Sequence, residues 1–332
     1  MKKFLEKFAS FPRVAGHPSD LRAQEMIKEE VNKHFAGDSF TQEFPFLSWE
    51  SEQLEVYLDE KKIPCLPVLW SGSGTVEGKI SSIGKKSTYS GAYEFESLSI
   101  DDKAFLLSRN DRVWIQPLDE PAPSKVYAMI FPEDLRRIKQ DKTKNIKIIS
   151  KSTFSPSSSA NIICRNNNSS ILLTAHFDSV PDSPGANDNA AGVAVLLEIM
   201  KRYPQVNLDY IFFGAEEWNL SGSKFWKDRN KKKYSLAINI DMIASPGGKI
   251  AAFTEENHLA EKIKSQDSSM EIYPYIGSQL DAFSLMQAKL PTISFGSYPY
   301  PECHYPSDTL DRLDFGKIEK MVSIVGKVLA NC

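Results

Sequence analysis

The spacing of apolar residues changes character along the chain. Over residues 20–35 (DLRAQEMIKEEVNKHF), Ile27, Val31 and Phe35 recur every four positions behind Pro18-Ser19, which predicts a capped amphipathic helix. The opening MKKFLEKF also reads as amphipathic helix. From about residue 41 to 154 the pattern turns to short alternating or apolar runs between turn signals: QLEVYL, EGKISSIG, KAFLLS, RVWIQP, KVYAMIF and NIKIIS. These predict mostly β structure. Beyond residue 170 come ILLTA (171–175), LDYIFF (208–213), SLAINI (235–240) and PTISF (291–295), with helical patterns such as AAGVAVLLEIM (190–200) between them. Strand, loop and helix in repetition predict an α/β fold: a mixed, largely parallel central sheet with helices on both faces, plus a mostly β inserted domain.

The polar stretches SPSSS (155–159) and NNNSS (166–170) read as punctuation on either side of ANIICR. A boundary near residue 155 divides the chain into an N-terminal helical part of the catalytic domain (1–40), a β-rich insertion (41–155) and the catalytic domain proper (156–332).

Composition narrows the function classes. The 332 residues, 41% hydrophobic and 11% aromatic, can bury a sizeable core. A net charge of −3 gives no field to gather a polyphosphate, so nucleic acid is not an expected partner. No apolar run approaches the roughly 20 residues of a membrane span, and Glu6 and Lys7 interrupt any secretory leader block. Cys65, Cys164, Cys303 and Cys332 are too few and scattered for a disulfide framework or a Cys-x-x-Cys knuckle. A reducing, cytoplasmic setting is expected; the asparagine run's glycosylation-type triplets would matter only in a secreted protein.

In open α/β sheets ligands bind beyond the carboxyl ends of the strands, so the residues that directly follow each apolar run carry most information. After ILLTA comes His176-Phe177-Asp178, after LDYIFFGA comes Glu216-Glu217, after SLAINI comes Asp241, and PTISF leads through GSYPYPEC to His304. Singly, each has a bland reading as a turn or capping residue; their convergence on one sheet edge argues otherwise. Asp188, in GANDNAAG (185–192), could cap the helix it opens, yet a short loop returns it to the edge that carries His176. Two imidazoles and three carboxylates without thiolate suit zinc, with manganese or cobalt as substitutes. Two dications balanced by three carboxylates and one hydroxide fit a two-metal centre. Of the adjacent Glu216 and Glu217, one reads as ligand and the other as general base, and spacing does not assign them. Asp178 is placed to accept a hydrogen bond from the His176 imidazole.

HFDS (176–179), GANDNAAG (185–192), FFGAEEWNLSGS (212–223), NIDMI (239–243) and HYPSDT (304–309) resemble, in order and approximate spacing, the motifs of the co-catalytic dizinc aminopeptidases of clan MH. PRVAGHP (12–18) resembles that family's N-terminal segment. The resemblance implies two zinc ions, one held by His176 and Asp241 and the other by Glu217 and His304, with Asp188 bridging and Glu216 as general base. It also implies a mixed eight-stranded sheet between helices, peptide substrates, and a protease-associated-type counterpart for residues 41–155. Some relatives carry Tyr directly before the last His to steady the oxyanion. Here that position is Cys303, which reads as a small buried side chain, so Tyr298, Tyr300 or Tyr305 would have to substitute. Where many relatives have Ser-Asp-His-x-x-Phe, this chain has Ser278-Gln279-Leu280-Asp281-Ala282-Phe283.

Three functions are weighed on these residues. The first is a zinc aminopeptidase. The second is a silent binding homologue, which the complete ligand set argues against. The third is a carboxypeptidase or a glutaminyl-cyclase-like enzyme. The cyclase-like relatives depart from NDNAAG, and no Arg stands inside the motifs to receive a terminal carboxylate. His34 and His258, with charged helical neighbours, and the run Lys231-Lys232-Lys233 read as solvated surface. Met242, directly after Asp241, reads as pocket lining or core.

Overall fold

The structure, a computed structural model, describes residues 1–88, 93–109, 114–166, 168–274 and 276–330. The chain divides into two compact units, Met1–Phe46 with Ser158–Cys332, and Leu47–Ser157. The sequence reading put these borders at 40/41 and 155/156. The offset arises because two long strands, Asp38–Leu58 and Ile146–Arg165, run straight through both borders. Residues 155–159 are accordingly strand, not the punctuation expected of SPSSS. Serine tolerates an extended backbone, and composition alone cannot tell a polar strand from a loop.

In the first unit the strands lie in the order Glu271–Tyr273, Lys249–Phe253, Thr292–Tyr298, Leu236–Ile240, Ile171–His176, Leu208–Phe213, Ile146–Arg165 and Asp38–Leu58, eight of the ten strands in that sheet. Ile171–His176 pairs parallel with both Leu208–Phe213 and Leu236–Ile240, and the latter pairs parallel with Thr292–Tyr298. Lys249–Phe253 runs antiparallel to Thr292–Tyr298, and Leu208–Phe213 antiparallel to Ile162–Cys164. The sheet is therefore mixed with a parallel centre. Its central strands are buried throughout, which is why they read as continuous apolar runs without alternation.

Helices Pro18–His34, Ala191–Arg202 and Phe315–Ala330 pack their apolar stripes into one large core with the sheet. Trp226 of helix Ser221–Arg229 and Leu285 of helix Asp281–Gln287 belong to a second cluster built on Ile163, Leu172, Ile211 and Phe213. Ile163 and Leu172 alternate along their strands with Ile162 and Leu173 of the first cluster, so the two clusters lie on opposite faces of the sheet. The last two strands on that side of the sheet, 249–253 and the edge strand 271–273, are not expected from the sequence, because KIAAF and EIY are too short to show a period. No helix among the described residues is long and apolar enough to cross a membrane.

The second unit is built on a six-stranded sheet in the order Ser82–Thr88, Tyr93–Ile100, Ala104–Ser108, Val126–Ile130, Cys65–Ser71 and Gln116–Ala122. Helix Pro132–Gln140 adds Leu135 and Ile138 to a core of Val56, Leu98, Ile100, Leu106 and Ile130. The run EGKISSIG is not one strand. It is split between Gly74–Gly78 and Ser82–Thr88. Residues 112 and 113 of RVWIQP lie outside the described residues, as do Asn167 and Cys332; Gln116 opens a strand.

Candidate metal centre

The register of the parallel strands fixes where the chemistry gathers. His176 sits opposite Phe213, and Ile240 opposite Phe295, so the neighbouring strands end nearly level. Each then releases a functional side chain at the same carboxyl edge. Three of these exits use left-handed backbone on residues other than glycine: Ala215 (φ 53°) just before Glu216, Met242 (φ 47°) just after Asp241, and His304 itself (φ 62°). Such conformations cost on the order of 1–3 kcal/mol each and persist where the surroundings over-determine them.

His176, Asp188, Glu216, Glu217, Asp241 and His304 all meet here, and all are buried. Asp188 stands between the two imidazoles. Its Oδ1 lies 3.2 Å from His176 Nε2 and its Oδ2 3.4 Å from His304 Nε2. Asp241 Oδ1 is 3.6 Å and Glu216 Oε2 4.0 Å from His176 Nε2, whereas Glu217 Oε2 is 2.8 Å from His304 Nε2. The adjacent glutamates thus diverge, one toward each imidazole.

The loop carrying Asp188 is held from several directions. Gly185 opens it with φ +56°, and a Cβ there would come within 2.3 Å of the Asp188 carbonyl oxygen. Asp308 accepts the backbone N–H of Asn187 at 2.8 Å and of Asp188 at 3.0 Å, and also receives the Tyr300 hydroxyl. Asn189 donates its amide to the Ile240 carbonyl at 2.8 Å and accepts the Gly192 N–H at 2.9 Å. Asn189, rather than Asp188, therefore serves the start of the helix. Asp188 has non-helical backbone (φ −111°, ψ 82°), which leaves its carboxylate for the centre.

Asp178 lies beside His176, as expected, and makes further contacts. Its oxygens accept the N–H groups of Glu216 at 2.9 Å and Glu217 at 3.2 Å, and Oδ1 lies 3.5 Å from His176 Nδ1. It is fully buried, holds both glutamates by their backbone N–H groups and lies beside the imidazole. Arg13, in the PRVAGHP segment, has a role that the sequence does not show. Its guanidinium donates to the carbonyls of Phe177 at 2.6 Å and Gly185 at 2.8 Å, which ties the His176 and Asp188 loops together. Burial pulls this guanidinium down to about 10 against the pull of Asp308 and Asp178. The signals for Asp308 and Arg13 were slight: an Asp four positions after His304, and one Arg in an apolar stretch.

Burial pushes Glu217 up to about 7 and Glu216 well above the ordinary carboxyl range, although His304 and His176 respectively pull them down. Burial lowers His176, but Glu216 and Asp241 outweigh it and hold the imidazole well above its usual value. Burial likewise raises Asp188, yet its hydrogen bonds to the two imidazoles leave it well below the carboxylate range. These are the signs of a cluster of anions around two imidazoles. Asp241 Oδ1 is buried with no hydrogen-bond partner, and the Arg13 guanidinium donates to backbone carbonyls. A set of N and O donors whose oxygens are incompletely satisfied fits divalent cations such as zinc.

Of the other residues weighed from the sequence, His34 lies 3.8 Å from Glu30, and His258 is exposed. Lys232, read as solvated, reaches the buried Asp209 at 2.7 Å. Met242 is half-buried. Tyr300 is committed to Asp308, and the Tyr298 ring packs edge-on to Phe253 at 5.7 Å.

A mixed sheet of this order, with imidazoles and carboxylates converging on its carboxyl edge, is the frame of the α/β metallopeptidases. Residues 160–329 match the model of peptidase family M28, and the chain belongs to that family. Over 130 residues it is 35% identical to the aminopeptidase YwaD of Bacillus subtilis (strain 168), covering 35% of this chain and 28% of that relative. Over 85 residues it is 40% identical to a probable lipoprotein aminopeptidase, LpqL, of Mycobacterium tuberculosis, covering 23% and 17%. The chain thus aligns with less than a third of either relative's length. Among solved structures, the aminopeptidase from Aneurinibacillus sp. strain AM-1 superposes with a TM-score of 0.77 at 20% identity, over 98% of this chain and 91% of that one.

Proposed function

We propose that this protein is a zinc-dependent aminopeptidase that releases residues from the N-termini of peptides. The observation that carries the reading is Asp188, one carboxylate with an oxygen toward each of two imidazoles. In this reading His176 and Asp241 hold one zinc ion, Glu217 and His304 hold a second, and Asp188 bridges; manganese or cobalt could replace zinc. Bound there, the ions supply a Lewis acid that polarises the scissile carbonyl and lowers the pKa of the attacking water.

Glu216 Oε2 takes the proton of that water and returns it to the leaving amine nitrogen. A buried carboxyl held well above its ordinary range by burial suits a group that must both accept and give a proton. Asp178 fixes the two glutamates by their N–H groups, so that one side chain serves as ligand and its neighbour as base. The carboxylate-rich wall receives the substrate's free α-amine. Peptides are the only partners in this reading, and a net charge of −3 supports no nucleic-acid role.

A panel of aminoacyl chromogenic substrates, with and without chelator, tests the proposal: turnover should vanish on chelation and return with zinc. Peptides blocked at either end test the direction of attack. Cleavage that survives N-acetylation but stops on C-amidation would overturn the aminopeptidase reading in favour of a carboxypeptidase.

A further inference from the structure

Cys303 is buried, as the sequence reading expects, but it does more than fill space. Its Sγ donates to Asp188 Oδ2 at 3.2 Å, the same oxygen that lies 3.4 Å from His304 Nε2. Donor atoms of Asp188, Cys303 and His304 all fall within 4.8 Å of one another. Consecutive side chains on an extended strand point to opposite faces. Here the left-handed turn at His304 (φ 62°) brings the Cys303 and His304 side chains to one carboxylate oxygen. The other described cysteines are placed differently: Cys164 is enclosed in the apolar core, and Cys65 Sγ lies 4.0 Å from the Leu54 carbonyl.

We propose that Cys303 Sγ is a metal ligand, joining His304, Glu217 and Asp188 around one of the two ions. This rests on the two-metal reading above. The consequence is an asymmetric pair. On the His304 side Cys303 would bring the protein donors to four, the number that structural zinc sites use. On the His176 side three donors, His176, Asp188 and Asp241, leave the open position that catalytic zinc sites keep. That open side is the one that faces Glu216, whose Oε2 is 4.0 Å from His176 Nε2. On coordination the thiol releases its proton to solvent and binds as thiolate. Asp188, Glu217, Asp241 and Cys303 then supply four negative charges against two dications. A thiolate also makes one of the two positions softer than the other, favouring cadmium there over harder ions.

The full-length protein, stripped by chelator and reloaded with cobalt(II), tests this. The expected result is two cobalt ions per chain with a near-ultraviolet thiolate-to-cobalt charge-transfer band. The band should be absent from Cys303→Ser and present in Cys65→Ser. Cadmium affinity at one position should fall by at least about tenfold in Cys303→Ser, since loss of even an outer partner of a ligand commonly costs that much. Two bound cobalt ions without the band in the unsubstituted protein, or a band that survives Cys303→Ser, would overturn the assignment. The unsubstituted spectrum decides even if the variant fails to fold. A protein that binds no cobalt at all would instead overturn the two-metal reading, and this inference with it.

Discussion

The two units bury polar groups in opposite ways. Among the described residues, Leu47–Ser157 buries one carboxylate, Asp134, which pairs with Arg137 at 3.0 Å; its other buried polar side chains are Ser and Thr. The unit made of Met1–Phe46 and Ser158–Cys332 buries ten carboxylates and two imidazoles, most of them at one sheet edge. An uncompensated buried charge costs several kcal/mol. A chain that needed only a stable core would follow the first pattern. The second is tolerated where the charges have work to do.

The largest effect that would sharpen this contrast is catalytic. Glu216→Gln keeps the shape of the side chain and removes its proton acceptor. Turnover should fall by about 10²- to 10⁴-fold with metal content by elemental analysis unchanged; full activity would sink the assignment of the base. Next comes Asp308→Ala, which strands the buried N–H groups of Asn187 and Asp188 and the Tyr300 hydroxyl. At about 1–3 kcal/mol for each of these three stranded groups, stability by urea titration should drop by at least about 3 kcal/mol, with metal lost as the Asp188 loop loosens. Retained metal at normal affinity would mean that this loop does not depend on Asp308.

In the other unit, Leu98→Ala should cost about 3 kcal/mol through the cavity it leaves, with metal content unaltered. Metal loss from that change would break the division of labour. The smallest effect concerns Asp20, whose carboxyl burial pushes up to about 6, against hydrogen bonds from the Gly16 N–H and Gln24. Between about pH 4 and 6 the folded chain keeps a proton there that the unfolded chain has released. Asp20's contribution is therefore most favourable at the acid end, declines by about 2–3 kcal/mol as pH rises through that window, and then levels off. Asp20→Asn should flatten that slope in urea titrations across the window; an unchanged slope would remove Asp20 as its source.

Much of the frame was legible in the sequence because buried parallel strands leave unbroken apolar runs, and the residue after each run must emerge at the carboxyl edge. That logic led to His176, Glu216, Glu217 and Asp241 without any knowledge of contacts. It could not separate the two glutamates, since adjacent positions share an address and differ only in which way the backbone turns at Ala215. It also missed groups whose partners are backbone atoms far along the chain. Asp308 reaches the Asn187 N–H across 121 positions, and no local pattern records such a bond. The sequence shows Cys303 only as a small buried side chain for a related reason. Its meeting with Asp188 depends on the left-handed turn at His304, and a φ angle at a residue other than glycine leaves no trace in composition.

Arg13 has a consequence for how the molecule is made. Its guanidinium binds carbonyls 164 and 172 positions further on, so during synthesis the N-terminal segment must wait, without its final partners, until the Asp188 loop has left the ribosome. Leu47–Ser157, by contrast, is contiguous and can gather its core while the rest is still being translated. Distant pairings of the first kind are slow to form and expose apolar surface in the interval. The tie that Arg13 makes between the His176 and Asp188 loops therefore belongs to the late contacts of the folding chain.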